Sequence, residues 1–180
     1  MLSTTLLLDG PLRVVDYRCD AGPGEPPVAE EHGAWSLSYV KHGSFGCRCR
    51  GAHVELVPGS WLVGRPGDEY ICTHDHRDGG DECLAFFFAP QLVDELGTRQ
   101  RAWRSGGLPP LAELSVLGEL ARAAASGQRD IGLDEIGLKL AERFVRLGEA
   151  PTSADAPRAA DRKRAVDSAL WIEAHSAQPI

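Results

Sequence analysis

The 180-residue chain has no run approaching the roughly 20 apolar residues that a membrane-spanning helix needs. Its opening, MLSTTLLLDGPL, has a leucine triplet but neither a basic leader nor a small-residue cleavage site, so no signal peptide is expected. Basic charge is also short. Lys and Arg number 19 against 26 Asp and Glu, giving -7 at pH 7, which argues against a chain that wraps nucleic acid by itself. Cysteines do not come in an even set: there are five, in a protein too large to need staples. A reducing cytoplasm with free or metal-bound thiols is the expectation. What remains, 43% hydrophobic and 25% charged with 7% aromatics, is the composition of a globular protein with one ordinary core, with or without an appendage.

Up to about Ala89 the text is strand-like. LRVVDYR, AWSLSYV, FGCRCR, HVELV, SWLVG, EYICTH and ECLAFFF are short β-branched, aromatic or alternating runs. Between them lie the turn signals GPGEPP, KHGS, RGA, VPGS, RPGD and RDGGD. Many short strands at close spacing point to a small barrel or sandwich. After Pro90 the period changes. PQLVDELG reads as a short helix, and Leu111, Leu114, Leu117, Leu120 and Ala124 then recur at helical spacing. A second stripe is Leu133, Ile136, Leu140, Phe144 and Leu147. Joined by SGQRDIG, the two stripes suggest an amphipathic helical hairpin whose apolar faces bind the β part or a second subunit. Residues 151–161, rich in Ala, Pro and small polar residues, read as a linker, and a last helix follows over 162–180.

The densest chemistry lies in YICTHDHRDGGDEC, Tyr70 to Cys83. Strand alternation puts Tyr70, Cys72, His74 and His76 on one face. A hairpin through RDGGD would bring Cys83 back to Cys72 and His74. Two thiolates and one or two imidazoles suit Zn(II), with bonds of roughly 2.0–2.3 Å, and soft sulfur argues against Mg or Ca. The predicted ligands are Cys72, His74, His76 and Cys83, with Glu82 competing with His76 for the last position. The competing account makes the thiols small buried hydrophobes and the histidines polar turn residues. Trp35, Tyr39, Phe45 and Trp61 are candidates to line an effector pocket, or else plain core. Cys47 and Cys49, on one face of a strand with Phe45, are placed in that pocket or in the core.

The tail DRKRAVDSALWIEAHSAQPI resembles the opening of the DNA-binding domain of AraC-type bacterial transcription regulators. The matching residues are Arg164, Val166, Trp171, Ile172, Glu173, His175, Pro179 and Ile180. The upstream text HGSFGCRCRGAHVELVPGSWLVGRPGDEY resembles the strand and Pro-Gly-turn pattern of that family's cupin-like half, and the CTHDH…GDEC pattern resembles a subset of its members. The resemblance implies an α+β fold: a cupin-like (jelly-roll) β-barrel over residues 1–89, a helical dimerisation region over 90–150, the linker, and the truncated first helix of a DNA-binding domain. It implies a cytoplasmic homodimer built through the helical hairpin and sensing a small molecule or a metal, possible Zn(II) included. DNA would be contacted only through recognition helices that lie beyond this sequence. Two other readings compete. A structural zinc module would unfold on chelation. A cupin enzyme would hold iron or manganese through a His-x-His pair and a Glu, for which His74, His76 and Glu82 are candidates. The Pro-Gly strand precedes that motif instead of following it, and no fourth ligand is evident, so no enzyme activity is expected.

Overall fold

The computed structural model describes residues 1–75, 80–97, 102–147 and 159–176. Nine strands come first: β1 (Leu2–Leu8), β2 (Leu12–Cys19), β3 (Ala29–Glu31), β4 (Trp35–Gly43), β5 (Phe45–Cys49), β6 (Ala52–Leu56), β7 (Trp61–Gly64), β8 (Glu69–Thr73) and β9 (Asp81–Phe88). Helix α1 (Pro90–Glu95), a 3-10 turn (Ala102–Arg104) and the two-residue strand β10 (Gly107–Leu108) lead to helices α2 (Ala112–Ala125), α3 (Leu133–Leu147) and α4 (Ala159–His175). The content is α+β. Helix α4 begins three residues before the expected end of the linker, whose first eight residues lie outside the described ones, as do Pro179 and Ile180.

The strands form two antiparallel sheets. One runs β1-β2-β9-β4-β7-β10 and the other β3-β8-β5-β6. The expected hairpin between the Cys72 and Cys83 strands does not form. β8 pairs with β3 and β5, whereas β9 lies between β2 and β4 in the other sheet. Between β8 and β9 the chain passes from one sheet to the other.

The six-stranded sheet is covered on both faces. Leu37, Tyr39, Trp61, Leu84, Phe86 and Phe88 point toward Leu114 and Ala121 of α2 and Ile136, Leu140 and Phe144 of α3. Val40 and Cys83 point the other way and pack with Phe45, Cys47 and Leu56 of the four-stranded sheet. Trp103, in the 3-10 turn, joins the helix-side core. Its ring meets those of Trp35, Phe88 and Phe144 edge-on, at centroid distances of 5.2, 5.9 and 4.8 Å. Such a cluster of large rings is where most of the burial energy concentrates.

Two glycines let the helices approach. A Cβ at Gly118 of α2 would lie 2.5 Å from the Tyr39 ring, and one at Gly137 of α3 would collide with Leu12. The Tyr39 hydroxyl donates to Glu119 Oε1 at 2.8 Å, fixing α2 to the sheet. Helices α2 and α3 are further tied by Arg143 and Glu113, 3.3 Å apart. Helix α4 anchors through buried Val166 and through His42 Nδ1, 2.7 Å from Glu173 Oε1. Its Trp171 and Ile172 are left 63% and 61% exposed.

Candidate functional site

A cleft of about 600 Å³ lies between the two sheets. Alternation along β9 decides its floor: Asp81, Cys83, Ala85 and Phe87 face it, while Leu84, Phe86 and Phe88 face the helices. Tyr17 and Cys19 of β2, Ser36 and Ser38 of β4 and Leu62 of β7 extend the floor. Phe45, Tyr70, Cys72 and His74 come from the four-stranded side, and Met1, Leu2 and the 25–28 segment stand at the rim. The lining mixes apolar rings with a few hydroxyls, thiols and four carboxyls, those of Glu25, Glu30, Glu31 and Asp81, a mixture that can hold a small molecule. His32 also borders it, stacked on Tyr70 at 4.1 Å, and burial pushes its imidazole pKa down.

At one end, Cys19, His74 and Asp81 gather their donor atoms within 4.8 Å of one another. Cys19 and Asp81 are register partners across β2 and β9, and His74 follows β8 on the opposite side. His74 Nε2 stands 3.2 Å from Asp81 Oδ2 and 3.7 Å from Cys19 Sγ. The Cys83 thiol donates to Asp81 Oδ1 at 3.4 Å. Burial pushes the Asp81 carboxyl above its ordinary range, opposed by the hydrogen bond from Cys83 and by His74. Burial also raises the Cys19 thiol, with the neighbouring Asp81 adding to it, and raises Cys83 well above the usual range.

The predicted residues are distributed as follows. His74 reaches the cluster. Cys72 and Cys83 both line the cleft but sit on different sheets, and His76 lies outside the described residues. Cys72 has another neighbour: Cys47 stands opposite it in the β5–β8 register. Glu82 cannot join the cluster. It turns to the opposite face and pairs with Arg18 at 2.5 Å and Lys41 at 3.5 Å.

Of the pocket candidates, Phe45 alone borders the cleft, its ring 6.2 Å from that of His74. Trp35, Tyr39 and Trp61 belong to the helix-side core, and Cys47 and Cys49 are buried among the residues joining the sheets. The physical reason is that a sheet covered on both faces gives apolar residues at both phases of the strand, so hydrophobicity does not mark the inner face. Cys19, Asp81, Ser36 and Ser38 were the signal: polar groups at the phase opposite the large rings.

No family model and no curated protein matches the chain. Solved structures do. The AraC-like transcriptional activator CuxR aligns over 95% of this chain and 64% of its own, with 14% identity and a TM-score of 0.58. This chain shares the fold of that AraC-like activator. It therefore spans under two thirds of CuxR's length. Cupin proteins from Desulfitobacterium hafniense and Salinispora arenicola align over 49% and 52% of the chain, at 14% and 17% identity, covering 78% and 81% of their own lengths. Both have TM-scores of 0.41, too low to carry a functional argument. On the AraC-like fold the tail residues that suggested the resemblance separate into two sets. Val166 and Glu173 hold α4 to the body, while Trp171 and Ile172 face solvent.

Proposed function

We propose that this chain is the sensing half of a DNA-binding transcription regulator and that the cleft between its sheets receives a small-molecule effector. The observation that carries the reading is the cleft itself. Its floor is the six-stranded sheet, whose other face carries α2 and α3, so an occupant acts on the helices through a single layer of strands. The CuxR-like fold, extending through α4, supports the same reading. We infer that the exposed side of the helical pair, where Val116 is 61% and Leu138 42% exposed, mediates homodimerisation. DNA contact would fall to sequence following α4. The mechanism is a population shift limited by the effector's differential affinity for two arrangements. We read the centre as non-catalytic, in keeping with Glu82 being committed to Arg18 and Lys41 on the other face.

The test uses the full reading frame that contains this chain. DNase footprinting against its own upstream region is expected to give a protected site, and Ser38→Trp, which fills the cleft, abolishes the effector response while preserving basal protection. A full-length product that protects no DNA overturns the reading. Sedimentation of the 180-residue chain checks the dimer, which Leu138→Glu is expected to dissociate.

A further inference from the structure

The cluster of Cys19, His74 and Asp81 is assembled from three distant stretches of chain, and its donor spacing is informative. A tetrahedral zinc ion with bonds of roughly 2.0–2.3 Å holds its ligand atoms about 3.3–3.8 Å apart. His74 Nε2 is already 3.2 Å from Asp81 Oδ2 and 3.7 Å from Cys19 Sγ. Hydrogen bonding leaves one imidazole nitrogen shared between a carboxylate and a thiol, whereas a metal ion would engage all three donors at once.

The backbone fixes this arrangement. The Gly80 N–H donates to the Ala21 carbonyl at 2.6 Å, and a Cβ at Gly80 would come within 2.9 Å of the Cys19 carbonyl oxygen. On the other side, a Cβ at Gly43 would collide with the Gly80 carbonyl oxygen. Gly43 and Gly80 have φ of 71° and 82°, a region that side chains other than glycine's rarely occupy. The turns bearing Cys19 and Asp81 are thus pressed together at van der Waals distance, which keeps two donors in place before any ion arrives.

The donor types select the metal. Magnesium and calcium take oxygen ligands, whereas one sulfur, one imidazole nitrogen and one carboxylate oxygen suit zinc. Thiolate and carboxylate together balance the charge of a divalent ion, with the imidazole neutral and the Cys19 thiol proton released to solvent.

We propose that Cys19 Sγ, His74 Nε2 and Asp81 Oδ2 bind a zinc ion whose fourth coordination position opens to the cleft. All three residues line that cleft, so the fourth ligand is a water or a donor atom of the molecule bound there. Cys83, hydrogen-bonded to Asp81, orients the carboxylate instead of ligating. This inference rests on donor geometry and stands whether or not the chain regulates transcription.

The experiment is Zn(II) titration of the metal-free chain against a chromophoric chelator, paired with Co(II) substitution. A single tight site is expected, and Co(II) gives a near-ultraviolet thiolate-to-metal band with intense tetrahedral visible bands. Cys19→Ser abolishes the near-ultraviolet band, and His74→Gln and Asp81→Asn each weaken zinc binding tenfold or more. Cys49→Ser leaves both readouts unchanged. Near-ultraviolet circular dichroism confirms that each variant is folded. A metal-free chain that takes up no zinc overturns the site. So does a full thiolate band in Cys19→Ser that disappears in Cys72→Ser or Cys83→Ser, since the sulfur ligand would then come from the strand thiols. Because no DNA is present, the outcome is separate from that of footprinting.

Discussion

Cys47 and Cys72 face each other as register partners across the antiparallel strands β5 and β8. Interaction between the two sulfurs draws the Cys47 pKa down against burial and pushes that of Cys72 up. Directly opposed residues on such strands have Cα atoms about 4.5–5.5 Å apart, within the range a disulfide spans. Diamide treatment of the native chain is therefore expected to join these two, with loss of two hydrogens and reduction of the diamide to its hydrazine. Peptide mapping by mass spectrometry checks it. A Cys72–Cys83 or Cys47–Cys49 product in its place would contradict the register.

The helix-side core gives the stability prediction. Phe144 is 1% exposed and packs its ring against Trp103. Truncation to Ala is expected to cost about 3–5 kcal/mol, while Lys139→Ala on the exposed side of the same helix, which loses only a solvent-screened pair with Glu135, costs no more than about 0.5 kcal/mol. Urea unfolding of the two variants provides the comparison.

Gly118 sets up a conflict between local and tertiary preference. Ala in a helix interior is better than Gly by up to about 1 kcal/mol, but overpacking a tight contact costs about 1–3 kcal/mol. The Tyr39 ring cannot yield easily, being packed against Trp61 at 4.9 Å and held through its hydroxyl by Glu119. Gly118→Ala is expected to lower the melting temperature, and an increase would show that α2 is free to move off the sheet.

His32 makes folding sensitive to acid. Burial lowers its pKa, only partly countered by the charge of Asp68. The unfolded chain takes up a proton near pH 6.5, and the folded one resists until lower pH. Between those values the unfolded state binds more protons, so stability from the neutral ring is present above about pH 6.5 and is lost as pH falls toward the folded pKa. The urea midpoint is expected to drop between about pH 7.5 and about pH 5.5, and to drop less in His32→Phe, which keeps the stack on Tyr70.

Among the described residues, helix α4 buries Val166 and pairs Glu173 with the exposed His42. The His42–Glu173 contact, with His42 57% exposed, is worth no more than about 1 kcal/mol. Val166, fully enclosed, carries the larger share. Hydrogen exchange over 159–176 is expected to accelerate strongly in Val166→Asp and slightly in Glu173→Gln.

The sequence announced seven strands and the main helices because each has a period or a turn that local chemistry fixes. It did not announce β1, whose Leu2, Ser3, Thr4, Thr5 and Leu6 are all exposed and which pairs only with β2 at the sheet edge, so no burial pattern was written into it. β3 and β10 were too short to show any period. The site was half visible. His74 stood out by its neighbours, whereas Cys19 looked isolated because its partner Asp81 is supplied by strand register, which no local pattern encodes. Residue types near Cys83 suggested a hairpin, and the choice of partner strands decided otherwise.

Strand β9 carries Asp81 at one end and, five positions on, Phe86, whose ring sits 3.1 Å from where a Cβ on Gly137 would be. At roughly 3.3 Å per residue the two are about 17 Å apart on one rigid, doubly flanked rod. An occupant that shifted the acidic end of β9 would therefore act, along one strand paired on both sides, on the aromatic end that lies against α3.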